Sequence, residues 1–176
     1  MEPDICMDIL QWNYKDYEKF DVIWASPNCK EYSISKTRAP RDMESADKLV
    51  LKVLEIIEYF KPKYFFIENP YTGYLKSREF MKDIPYYRVD YCRYGFDYKK
   101  NTAIWTNLEN FNGLKCDNGL CGKKVNGSHI DSICDGKKLT LNRILHPNRN
   151  FTTKYTDKIK IPQTLLLELF ELLLLL

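Results

Sequence analysis

Asp21-Val22-Ile23-Trp24-Ala25-Ser26-Pro27-Asn28-Cys29 begins as a short apolar run and breaks on Ser-Pro. Such a run, bounded by turn formers, reads as a buried strand leading into a loop. Downstream, Ala46, Leu49, Val50, Val53, Leu54, Ile57 and Phe60 recur at steps of three and four. This is a helical stripe, opened by Asp42 and Glu44 and stopped by Pro62. Tyr64-Phe65-Phe66-Ile67 reads as a second buried strand, closed by Glu68-Asn69-Pro70. A shorter helix is expected over residues 75–81, with strands around 87–91 and 102–106. Strand, helix, strand, helix, strand predicts an α/β fold built on a parallel sheet with right-handed crossovers.

In such sheets ligands bind beyond the carboxyl ends of the strands. Pro27-Asn28-Cys29 and Glu68-Asn69-Pro70 both stand there, after successive strands. Neighbouring strands lie ~4.8 Å apart, so adjacency would bring Cys29 and Glu68 to one small ligand. Taken singly, a cysteine is ordinarily a small buried hydrophobe and a strand-end carboxylate a cap or ion-pair partner. Jointly they offer a soft nucleophile and an acid.

These segments, in their order, resemble the cytosine-C5 DNA methyltransferase family, most closely its compact phage and large-virus members. Residues 21–29 look like the catalytic Pro-Cys loop with its strand, and Phe65-Phe66-Ile67-Glu68-Asn69-Pro70 like the Glu-Asn-Val motif. Met7-Asp8-Ile9 is similar to the acidic segment before that loop, and Tyr94-Gly95-Phe96 to the Tyr-Gly before Gln-x-Arg-x-Arg. The resemblance runs from about Asp4 to Asn107 and resumes at Ile161-Pro162-Gln163. It implies a partial Rossmann-like S-adenosylmethionine-dependent methyltransferase fold. It also implies Cys29 as nucleophile, Glu68 as acid, Lys100 as the remaining cation of the arginine motif, and Asp8, Pro27 and Asn69 at the cofactor. DNA is the implied partner, and an RNA cytosine methyltransferase shares all the motifs.

The chemistry accounts for these residue types. Cytosine C5 is too weak a nucleophile to attack a methyl sulfonium until a thiolate adds at C6. The charge that then builds on the ring is relieved by a carboxyl group at N3. The base must first be flipped out of its stack.

The sequence departs from the family at four places. No glycine precedes Gly73, so the family's Gly-rich cofactor loop is missing and the cofactor site is expected to be incomplete in this chain. The chain is expected to start just past that loop, which makes a second chain supplying it, or a catalytically inactive binding module, the competing readings. Asn28 stands where the family has proline, and Lys30 where it has glutamine. Lys30 either lowers the Cys29 thiol pKa or points to solvent. The Gln-x-Arg-x-Arg positions fall on Tyr98, Lys100 and Thr102.

From residue 112 to 160 apolar periodicity is lost. Cys116, Cys121, His129 and Cys134 supply four soft ligands within this insert, which either holds a structural zinc or leaves the thiols unligated on a surface loop. The expected organisation is a catalytic core over 1–111, a Cys/Lys-rich, possible target-recognition insert over 112–160 and a C-terminal helix over 161–176. Residues 1–92 carry 14 Lys/Arg against 16 Asp/Glu, and residues 93–176 carry 13 against 8. The basic second half suits backbone phosphates, or is a solvated face.

Hydrophobic residues make up 44% of the 176, enough for a core, which excludes wholesale disorder. Leu165 to Leu176 is apolar but carries Glu168 and Glu171 and falls short of the ~20 residues of a membrane span, so it is expected to be a buried helix end. Six cysteines without a secretion signal point to a reducing, intracellular compartment.

Overall fold

The structure is a computed structural model that describes residues 4–117, 119–125, 128–129 and 160–174. In chain order its main elements are β1 (Val22–Ala25), α1 (Met43–Phe60), β2 (Tyr64–Pro70), β3 (Tyr86–Asp90), β4 (Asn101–Thr106), β5 (Lys124–Val125), β6 (Ser128–His129) and α2 (Gln163–Leu174). Strands β1 to β4 form one sheet in the order β1-β2-β4-β3, and β5 and β6 form a separate antiparallel hairpin.

β1 and β2 are adjacent and parallel, with Val22 beside Tyr64 and Ala25 beside Ile67. α1 is the crossover between them. Its start is fixed by Asp42, whose carboxylate accepts the Ser45 N–H at 3.0 Å. Its end is fixed by Lys61 in the left-handed conformation, φ 45°. The expected parallel sheet holds for this pair and not for the last one. The Thr106 N–H bonds to Pro85 O, and the Tyr91 N–H to Lys100 O, so β3 and β4 run antiparallel through the loop 91–100. Ten residues suffice for a hairpin, whereas a parallel return needs a crossover of a dozen or more.

The helix expected over 75–81 is instead two 3₁₀ turns, Leu75–Ser77 and Glu79–Met81. Arg78 between them is extended, φ −75° and ψ 139°, and its guanidinium is held by Asp47.

The chain divides into two compact units. The first comprises residues 1–86 and 103–109, and the second 87–102 and 110–176. The core of the first gathers Tyr32, Val50, Val53, Ile67, Leu75, Met81, Ala103 and Trp105. In the second, α2 buries Leu165 and Leu169, and the Thr164 hydroxyl donates to Tyr94 O at 2.8 Å. Leu167, Phe170 and Leu174 are exposed, so α2 is buried on one face only, not as a whole helix end. Among the described residues no helix is long and apolar enough to cross a membrane.

Candidate functional site

The parallel register decides the site. Continued past Ala25 and Ile67, it sets Ser26 beside Glu68 and Pro27 beside Asn69. Asn69 Nδ2 donates to Pro27 O at 2.9 Å, which ties the two strand ends together. Cys29 is half-buried and not in a disulfide; Glu68 is 7% exposed and Asn69 1%. Glu68 is therefore a residue of β2 itself, where the sequence had the strand closing before it, and Cys29 stands on the loop after β1, towards the same end of the parallel pair.

Asn28 does for its loop something that proline would do differently. Its Oδ1 accepts the Lys30 N–H at 2.9 Å, an Asx turn that brackets Cys29. Lys30 itself is exposed.

Beyond Lys30 the loop is held by groups that the sequence did not single out. Arg41 Nη1 donates to Glu31 O and Ser33 O, both at 2.7 Å, and Nη2 to Lys36 O at 2.8 Å. The Glu31 carboxylate takes Lys36 and the Asp42 N–H, which hold it below the usual carboxylate range. Tyr32, fully buried, donates to Asp47 Oδ1 at 2.8 Å, and Arg78 Nε reaches the same oxygen at 3.0 Å. Burial first, and then the Asp47 carboxylate, push the Tyr32 hydroxyl pKa up, so the tyrosine stays a donor. The Tyr74 N–H bonds to Tyr32 O at 2.9 Å, which links this loop to the segment after Pro70.

The residues assigned to S-adenosylmethionine divide. Asp8 is exposed and uses Oδ1 on the Leu10 N–H at 2.9 Å, as a turn residue does. Asn69 keeps a buried Oδ1 with no protein donor among the described residues. Beside β1 lies an apolar groove of about 260 Å³ walled by Ile9, Trp12, Ile23 and Trp24. Trp12 carries a buried Nε1–H without a protein acceptor among the described residues. Aromatic walls with an unused donor suit a purine ring, so the residues present fit the adenine half of the cofactor.

In the second unit, Tyr98 is buried and stacked on Phe96, Thr102 is fully buried, and the Lys100 ammonium lies 4.7 Å over the Tyr91 ring. Cys116, Cys121 and His129, predicted as metal ligands, do come together, while Cys134 lies outside the described residues. The fourth ligand atom among the described residues is Cys92 Sγ, which the sequence reading placed in the catalytic core. Burial first, and then Cys116, push the Cys92 thiol pKa up, and burial with Lys124 and Lys99 pushes the His129 imidazole pKa down.

The chain matches the family model of C-5 cytosine-specific DNA methylases over residues 2–79, which include Asp8, Pro27, Cys29, Glu68 and Asn69. Lys100 and the Cys/His ligands lie beyond that match. The chain is also 37% identical, over 131 residues, to the probable DNA (cytosine-5)-methyltransferase of Frog virus 3 (isolate Goorha). That stretch is 65% of this chain and 60% of the length of the viral protein. Neither finding points to a second chain.

Proposed function

We propose, from the viral-type cytosine-C5 DNA methyltransferase family that both comparisons support, that this chain transfers a methyl group to C5 of cytosine in DNA. The observation that carries the reading is the Asn69–Pro27 hydrogen bond, because it joins the ends of the two strands that deliver Glu68 and Cys29.

In this reading the Cys29 thiolate adds to C6 of a flipped cytosine and breaks the C5=C6 π bond. Glu68, in its protonated form, gives its proton or a hydrogen bond to N3 and so relieves the charge on the ring. Lys100 contributes a single positive charge at the arginine place of the motif, without the bidentate fork of arginine. S-adenosylmethionine, when bound, supplies a methyl group made electrophilic by its sulfonium. Trp12, Ile9 and Trp24 would hold its purine, and Asn69 and Pro27 would keep the strand ends in place through their hydrogen bond. After methylation, a water molecule takes the C5 proton, the electron pair restores the C5=C6 bond and expels the Cys29 thiolate, and any proton given to N3 returns to Glu68.

The test is transfer of labelled methyl groups by the full chain to duplex DNA, with tRNA as competitor. DNA is labelled and tRNA does not compete if the reading is right. Cys29→Ser lowers the rate at least about a thousandfold. Competition by tRNA would move the substrate class to RNA. A second reading, a nucleic-acid-binding module without catalysis, is favoured by Tyr98 and Thr102, which are core side chains at two of the three arginine-motif positions. DNA binding without any transfer is its signature.

A further inference from the structure

We propose that Cys92, Cys116, Cys121 and His129 bind one structural zinc ion, which fastens the loop-rich segment after Asn110 to the turn that follows β3. The four ligand atoms lie within 4.8 Å of one another. His129 Nε2 is 3.5 Å from Cys116 Sγ and 3.4 Å from Cys121 Sγ. Zinc bonds of ~2.3 Å to sulfur and ~2.0 Å to nitrogen, at tetrahedral angles, put S and N ~3.5 Å apart. The imidazole stands from two of the thiols at the separation that a shared ion imposes. A single disulfide would use two of the thiols and leave the third beside an imidazole with no purpose.

The backbone is arranged for the same ligands. Cys92 sits in the 3₁₀ turn Tyr91–Tyr94, which Gly95 closes at φ 99°. Cys121 is followed by Gly122 at φ 66°, a left-handed residue that turns the Lys123 N–H back to Cys121 Sγ at 3.4 Å. Donation of an N–H to sulfur favours thiolate, the form that binds metal. The β5–β6 hairpin, with Lys124 beside His129, presents the imidazole.

Outer groups fix the ligands in turn. Asp90, fully buried, accepts the Cys116 N–H at 2.7 Å and pairs with Arg88 at 2.7 Å. Lys99 donates to Cys116 O at 3.2 Å, and Arg93 holds Leu120 O. Three thiolates and one Zn²⁺ leave a net charge of −1, and Lys99, on Cys116 O, and Lys124, paired with His129 across the two strands, bring positive charge near it. Such supports are what metal ligands need in order to keep their orientation.

The experiment uses the full chain, purified without added metal. Elemental analysis is expected to find about one zinc per chain. Cobalt(II) substitution is expected to give the intense visible bands of a tetrahedral site and a thiolate charge-transfer band. Cys92→Ser is expected to lose most of the metal and to weaken the charge-transfer band, and Cys134→Ser to keep both. A folded wild-type chain that holds neither zinc nor cobalt overturns the proposal. So does metal lost in Cys134→Ser and retained in Cys92→Ser, which would put the fourth ligand elsewhere. Metal content is read without methyl transfer, so failure of the catalytic reading leaves this result standing.

Discussion

Cys29 and Cys116 are the same residue in opposite settings. Cys29 is half-buried on a loop past the end of β1, and the residues that follow it in the chain are pinned by Arg41 and, through Tyr32, by Asp47 and Arg78. Cys116 is buried and has two further thiols and an imidazole for neighbours. The polar clamps of the first unit pin residues 31–36 and leave Cys29 half-buried. The second unit gathers three thiols and an imidazole, with Cys92 in the turn that follows β3 and the other three beyond residue 112. The contrast is one of neighbourhood: a half-buried thiol on a loop against a buried thiol within a Cys/His cluster.

The sharpest way to break this contrast is to exchange the roles. On the proposed mechanism, Glu68→Gln removes the acid and is expected to lower kcat on the order of 10²–10⁴-fold with metal content unchanged. Chelation does the reverse to the second unit. Limited proteolysis is expected to cut between residues 110 and 125 after zinc removal, with residues 21–86 still protected. If chelation opens the first unit instead, the division of labour is wrong.

Stability sharpens the comparison further. Asp47→Asn leaves the Arg78 guanidinium without its carboxylate and weakens the bond from Tyr32, at an expected cost of about 1–3 kcal/mol by denaturant unfolding. In the second unit, a Cβ on Gly113 would stand 2.3 Å from Val89 Cγ1 and 2.9 Å from Arg88 O. Gly113→Ala is therefore expected to cost about 1–3 kcal/mol by overpacking, because the segment crosses β3 too closely for any side chain.

The smallest effects are in pH, and they have opposite signs. Lys36 and the Asp42 N–H hold the Glu31 pKa below its usual 4.5. Its contribution is complete above that value and is lost as pH falls through the lowered one. Burial raises Glu168 above 4.5, with Glu171 adding to the shift and Tyr94 opposing it. Its contribution is present below 4.5 and is lost as pH rises through the raised value. Tm against pH is expected to lose part of its acid-side fall in Glu31→Gln. Glu168→Gln is expected to raise Tm slightly at pH 7 and not at pH 4.

The legible part of the molecule was the part governed by local pattern. Apolar runs announced β1 and β2, the three-four stripe announced α1, and their succession put Cys29 and Glu68 at neighbouring strand ends. What escaped was long-range polar pairing, which has no period. Nothing near Arg41 or Asp47 in the sequence signals that one staples residues 31–36 and the other joins Tyr32 to Arg78. Cys92 escaped for a related reason. It lies 24 residues before Cys116, within a stretch that reads as strand and turn, so ligand spacing alone pointed into the insert. The extended Arg78 that splits residues 75–81 into two turns was hidden by helix-compatible composition.

The role of Cys29 is tested most directly by a covalent trap. The full, zinc-loaded chain is incubated with duplex DNA containing 5-fluorocytosine and with labelled S-adenosylmethionine, then resolved on a denaturing gel. Fluorine at C5 blocks the final elimination, so the Sγ–C6 bond persists. A labelled, shifted band that disappears in Cys29→Ser is the expected result. A folded wild-type chain that binds this DNA and gives no band, or a band that survives in Cys29→Ser, would contradict the assignment of Cys29 as the nucleophile.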